Sequence, residues 1–164
     1  MDKPTEYVRF STMIWKPHVT VAAIIEKNGR FLLIEENVAG HIVINQPAGH
    51  LDEGESLVTA VIRETREETA YLFKPEAITG IYRWQHPENH DTYLRVAYCG
   101  NTVEHDPDAK LDSGIIKTIW LTREALLKQD IPLRNAMVLQ CIDDYLAGTR
   151  YPLELIHDLL PSDD

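Results

Sequence analysis

The chain has 164 residues, the size of one domain. Its 44 % apolar and 26 % charged residues exclude a disordered chain, and no run approaches the ~20 apolar residues of a membrane-spanning helix. With 16 Lys plus Arg against 26 Asp plus Glu, the net charge of −10 excludes broad binding to nucleic acid or anionic lipid. It leaves room for a phosphate substrate, because a bound cation can reverse the local field.

Residues 1–16 are mixed, with no apolar stretch of signal-peptide length, so a loosely attached arm ahead of a single domain and a cytoplasmic location are expected. His18 to Ile25 is short and β-branched, a buried strand. Asn28-Gly29 turns it into a second strand, Arg30 to Glu35. Residues 36–41 read as a loop, and Ile42 to Ile44 as a short apolar run before Asn45, Gln46 and Pro47. Ser56 to Ala70 reads as a helix, with Leu57, Val58, Val61 and Ile62 at helical spacing. Ile78 to Gln85 and Tyr93 to Cys99 read as strands joined by a loop over 86–92. Asn101 to Gly114 reads as a long acidic loop, and Ile115 to Leu121 as a strand. Thr122 caps a short helix. Pro132 opens a longer one, about Leu133 to Ala147, closed by Gly148. Strands and three helices alternate irregularly, which predicts an α/β fold with a mixed sheet and helices on both faces. Cys99 and Cys141 form no CxxC pair, and two cysteines make no disulfide framework; they read as buried packing residues in a reducing compartment. The acidic end, Ser162 to Asp164, reads as frayed.

The chemistry concentrates between Gly49 and Tyr71. Glu64, Glu67 and Glu68 stand at i, i+3 and i+4 and share one helix face. Such a face can be merely solvated. Two neighbours favour a cation site instead. Gly49, Leu51 and Gly54 place a turn-rich loop ahead of the helix, where carbonyls can join carboxylates as hard oxygen ligands. Arg63 lies beside the acids and Glu55 two turns earlier, a spacing that suits a bidentate pair holding loop to helix.

These residues resemble the Nudix box, G-x5-E-x7-R-E-U-x-E-E-x-G-U with U bulky and apolar. Gly49, Glu55, Arg63, Glu64, Glu67 and Glu68 fall at its fixed positions. If each residue type fills roughly one position in fifteen, six matches arise by chance about once in ten million windows. Thr65 departs at an apolar position, and Ala70 replaces the last glycine. That glycine would end the helix in the left-handed conformation, where Ala costs on the order of 1 kcal/mol, so a different helix end is expected.

The resemblance implies a Nudix α/β/α sandwich and hydrolysis of a phosphoanhydride with Mg²⁺ (or Mn²⁺). It implies that Glu67 and Glu68 bind metal with the Gly49 carbonyl, and that Glu64 is a ligand or the general base. Arg63 would then orient the acids and Glu55 anchor Arg63. Lys16 to Ala22, Asn45 to His50, Leu111 to Ile115 and Arg150 to Glu154 look like a bacterial phosphatase subgroup of the family. Members of that subgroup release phosphate from nucleoside tri- and diphosphates and from hydroxymethylpyrimidine pyrophosphate. Two alternatives stand beside this. One is a Nudix pyrophosphatase for a damaged nucleotide or a dinucleoside polyphosphate. The other is a non-catalytic nucleotide-binding module, which usually lacks one of the box acids.

Outside the box, Asp112 is a candidate further acid, with Glu104, Asp106 and Asp108 competing. Arg134, at a helix start, and Arg95, on a strand, are candidate phosphate contacts. Arg95 could equally pair with a helix acid. Gln46, with Asn45, could read a base edge or only shape a turn. Trp84 and Tyr82 share a strand face and could stack on a heterocycle or fill the core. His18 and His50 read as structural. The expected partner is a small di- or triphosphate.

Overall fold

The computed structural model describes residues 14–159. Most of the expected arm, and the whole of the acidic end, lie outside the described residues. Seven strands and three helices follow in chain order: β1 His18–Lys27, β2 Arg30–Val38, β3 His41–Asn45, β4 Ala48–His50, α1 Leu57–Thr69, β5 Tyr71–Gln85, β6 Thr92–His105, β7 Ile115–Leu121, α2 Arg123–Lys128 and α3 Ala136–Leu146. A short 3-10 turn, Leu153–Leu155, is the last element among the described residues. No described helix is long and apolar enough to cross a membrane.

The sheet is mixed. Its main path runs β3-β2-β1-β6-β5, with β4 on β1 and β7 on β2. Only β1 and β6 are parallel, paired from His18↔Tyr93 to Ile25↔Gly100. Asn28 and Gly29, both at positive φ, close the β1–β2 hairpin, as a two-residue turn between right-twisted strands requires. That hairpin pairs only through Glu26↔Phe31 and Lys27↔Arg30. Beyond it the strands part, and β4 takes the vacated side of β1 at Thr20↔His50 to Ala22↔Ala48.

Residues Thr20–Ile25 are buried without alternation, because both sheet faces are covered. On one face Val21, Ala23, Ile25 and Leu32 pack with Ala60 and Val61 of α1. On the other, Ile24, Phe31 and Leu33 pack with Leu126 of α2 and with Val138, Cys141 and Ile142 of α3. The expected α/β/α sandwich is therefore present. Cys99 and Cys141 are free and buried.

Several boundaries correct the sequence expectation. β5 starts at Tyr71 and β6 runs to His105, so the first part of the expected acidic loop is strand. Pro75 sits in β5 at one of three register shifts, where a missing N–H is tolerated. Gly100 opposite is needed there, since a Cβ would stand 2.1 Å from the Lys74 carbonyl oxygen. The last helix starts at Ala136 rather than Leu133, because the Arg134 N–H is spent on the Ile44 carbonyl and Asn135 supplies the cap. The end of α1 is the one a glycine would give: Ala70 takes φ 61°, ψ 10°, and its N–H returns to the Arg66 carbonyl. Thr65 keeps its apolar position by donating its hydroxyl to the Val61 carbonyl at 2.7 Å.

Candidate active site

A cleft of about 500 Å³ opens where β1 and β2 diverge. It is lined by Thr20 of β1, Glu36 of β2, Asn45 of β3, Gly49 and His50 of β4, and Glu64 and Glu68 of α1. Trp84, Tyr93, Arg95 and Arg134 complete the walls.

α1 begins at Ser56, whose hydroxyl accepts the Thr59 N–H at 3.0 Å. Its inner stripe faces the core, and the acid face turns to the cleft edge. That face is not simply solvated. Glu64 and Glu68 are buried, while Glu67 is 40 % exposed at its side chain. Arg63 is the hub of the cluster. Its Nε and Nη2 donate to the two carboxylate oxygens of Glu55 at 3.1 and 2.6 Å. Its Nη1 donates to Glu64 at 2.8 Å and Glu67 at 3.1 Å, and Nη2 also to the His50 carbonyl at 3.0 Å. Glu55 in turn accepts the Asp52 N–H at 2.8 Å, so one arginine ties the whole loop 50–56 to the helix. A bidentate pair at 26 % and 13 % side-chain exposure is partly shielded. Glu55→Ala is therefore expected to lower unfolding free energy by about 1–2 kcal/mol in urea titrations, and an unchanged midpoint would contradict that role.

Burial dominates at the two inner acids. It pushes the Glu64 carboxyl up despite Arg63, and pushes Glu68 up to about 9 despite the Ala48 N–H donated at 2.8 Å. Neighbouring acids add to both shifts, Asp112 among them. Arg63 is the one cation paired with Glu64, and Glu68 has none among the described ion pairs; a hard divalent cation would supply the missing charge. Gly49 fits the same reading. A Cβ there would lie 2.0 Å from the Glu64 carboxyl carbon, so only glycine lets this backbone approach the acids so closely. Glu64, Glu67 and Glu68, with the Gly49 backbone, could hold such an ion. Among the described residues no three ligand side chains already converge as a ready cluster; Arg63 Nη1 sits between Glu64 and Glu67 instead.

The remaining candidates separate clearly. Asp112 is brought alongside: its N–H donates to the Glu67 carbonyl at 2.9 Å. Asp106 and Asp108 stay in an exposed turn beyond β6. Arg95 is buried in the cleft wall and forms no pair with a helix acid. Arg134 is exposed and lines the cleft. Trp84 lines it too, tilted at 5.7 Å from Tyr93, whereas Tyr82 turns to α3 and donates to Asp144 at 2.9 Å. Gln46 is not on the cleft surface. It is buried, with its oxygen facing Arg95 and its Nε2 on the Val138 carbonyl. His18 stacks on Tyr93 and meets His50 edge-on.

Glu36 escaped the sequence reading. It lines the cleft, and its carboxylate accepts from Asn45 Nδ2 at 3.1 Å. A bulge between Glu35 and Glu36 separates the two acids, and Glu35 pairs with Lys117 instead. Residues 36–41 read as a loop, but β2 runs on to Val38, so Glu36 is a strand residue and the bulge decides which way it faces.

The NUDIX domain family matches residues 16–140. The chain belongs to the Nudix hydrolase family. Phosphatase NudJ of Escherichia coli (strain K12) is 38 % identical over 145 residues, covering 88 % of this chain and 94 % of that one. Phosphatase NudJ of Shigella boydii serotype 4 matches equally well. A NUDIX hydrolase structure from Nitrosomonas europaea superposes with a TM-score of 0.85 at 47 % identity, over 87 % of this chain and 97 % of that one. The NUDIX domain of Shewanella oneidensis NrtR, complexed with ADP ribose, shares the fold at TM-score 0.64 and 16 % identity, over 80 % and 90 %. As a Nudix hydrolase with NudJ-like relatives, the protein is a phosphohydrolase.

Proposed function

We propose that this Nudix enzyme is a NudJ-like phosphatase, which releases inorganic phosphate from nucleoside tri- and diphosphates and from hydroxymethylpyrimidine pyrophosphate with Mg²⁺ (or Mn²⁺). The observation that carries the reading is the cleft itself, where buried acids of the box helix share the lining with a half-buried aromatic, Trp84, and two arginines. Similarity to phosphatase NudJ along nearly its whole length supports the choice of subgroup.

In this reading Glu67, Glu68 and the Gly49 carbonyl hold the ion, and Glu64 is a further ligand or takes the proton of the attacking water. The ion, when bound, supplies the positive charge that neutralises phosphate oxygens and acidifies a water. Arg63 keeps Glu64 and Glu67 in position through its shared Nη1, and Glu55 fixes Arg63. Trp84 gives the heterocycle a face to lie on. A non-catalytic module finds no support in Ala70, because the helix ends there as the glycine would end it.

A product analysis tests the substrate class. Phosphate released from both di- and triphosphates, with no pyrophosphate, is expected. Pyrophosphate from triphosphates alone would keep the family and reject the subgroup. Nucleotide binding without turnover would favour the binding module.

The raised Glu68 carboxyl gives a second expectation. A carboxyl raised from 4.5 to about 9 in the folded state favours folding fully below 4.5 and loses that contribution as pH rises toward 9. The ion-free protein should therefore melt at falling temperature over that window, and Mg²⁺ should stabilise it most at the alkaline end. Melting curves in chelator that rise with pH there would contradict this.

A further inference from the structure

Two arginines line the same cleft as the acids, Arg95 from β6 and Arg134 from the segment before α3. Neither takes part in an ion pair among the described residues. Arg95 is only 4 % exposed, and its Nε meets no acceptor. Its Nη1 donates to a neutral group, the Gln46 amide oxygen, at 3.3 Å. Gln46 is fixed from behind, its Nε2 donating to the Val138 carbonyl of α3 at 2.6 Å. Burial pushes the Arg95 guanidinium below its ordinary range, and the Arg134 charge pushes the same way against Glu36 and Glu68. A buried cation without a carboxylate is costly to keep, and a second cation near it adds to the cost. An anion between them removes both penalties. α3, an 11-residue helix, points its start at the same place: its cap Asn135 and first-turn Met137 line the cleft. The Met137 N–H is already taken by the Asn135 cap, but the positive end of the helix dipole still favours an anion there.

We propose that Arg95, Arg134 and the start of α3 form a metal-independent phosphate subsite, which holds one phosphoryl group of the substrate while the box acids serve its neighbour. The inference rests on the reading that the cleft accepts a di- or triphosphate, and adds how the second phosphate is held. Arg95 and Arg134 contact substrate; Gln46 is a positioning residue that holds Arg95 without touching the ligand. Two linked phosphates then engage both parts of the cleft at once, whereas a monophosphate engages only one. Inorganic phosphate binds to the arginines without any metal ion.

The test is titration calorimetry of the full chain with inorganic phosphate in excess chelator, for wild type, R95M, R95K and R134Q. Phosphate is expected to bind wild type and to bind R95M and R134Q about tenfold more weakly, with R95K between. R95M should melt no lower than wild type, since it removes an unpaired buried charge; a purely structural arginine would cost stability when replaced. R134Q changes an exposed side chain, so it tests the subsite even if R95M folds poorly. Equal phosphate affinity in wild type and both neutral variants overturns the proposal, as does a failure of wild type to bind phosphate in chelator. Because no metal is present, the result stands apart from turnover. Arginine-dependent phosphate binding in a protein that hydrolyses nothing would keep the subsite and reject the proposed activity. Metal-dependent turnover with arginine-independent phosphate binding would do the reverse.

Discussion

Replacing Glu67 by Gln is expected to lower kcat by about a thousandfold and leave the fold intact. The carboxylate is 40 % exposed, and its interaction with Arg63 at 3.1 Å is one of five hydrogen bonds that arginine makes. Gln keeps the size and an acceptor oxygen, so stability should change by no more than about 0.5 kcal/mol. The lost charge is what a cation would need, and removing one strong electrostatic contact from a reacting centre typically costs about 10²–10³-fold. Steady-state rates with circular dichroism melts separate the two effects. A variant that melts like wild type and turns over like wild type would remove Glu67 from the site.

The second large effect is expected at Gly49. In Gly49→Ala the new methyl would fall 2.0 Å from the Glu64 carboxyl carbon and 2.1–2.2 Å from its oxygens. Those atoms end a flexible side chain, so they can swing aside and the protein should still fold. The carboxylate, however, leaves its place beside Arg63. A displacement of about 1 Å at a reacting centre can cost about 100-fold in rate. The expected result is a melting temperature within a few degrees of wild type and kcat/KM lowered about 100-fold. An active Gly49→Ala would mean that the close approach of loop and Glu64 is incidental.

Much of this site is legible in the sequence because it is local. The acids, Arg63 and Glu55 sit on one helix and the loop before it, where spacing alone decides which side chains share a face. The bidentate Glu55–Arg63 contact follows from that spacing and is found at 2.6 and 3.1 Å. What was not legible depends on contacts between distant segments. The inward turn of Glu36 needs a bulge opposite β7, and the burial of Gln46 needs a carbonyl 92 residues away. β5 starts at Tyr71 rather than Ile78 because a register shift in the β6 pairing accommodates Pro75 within the strand. Ala70 reads as a misplaced residue, yet the 3.6-residue helix and the strand beginning at Tyr71 hold it in the left-handed conformation that a glycine would take freely. Arg95 could be placed on a strand but not given a partner from sequence; only the fold leaves it without a carboxylate.

If the buried box acids act through a divalent cation on a phosphoanhydride, as proposed, turnover must depend on that cation. The most direct test is phosphate release from a nucleoside triphosphate by the full chain as free Mg²⁺ is raised from zero. No turnover in chelator and a saturable rise with Mg²⁺, reproduced by Mn²⁺, are expected. Turnover in chelator equal to that at saturating Mg²⁺ would contradict it.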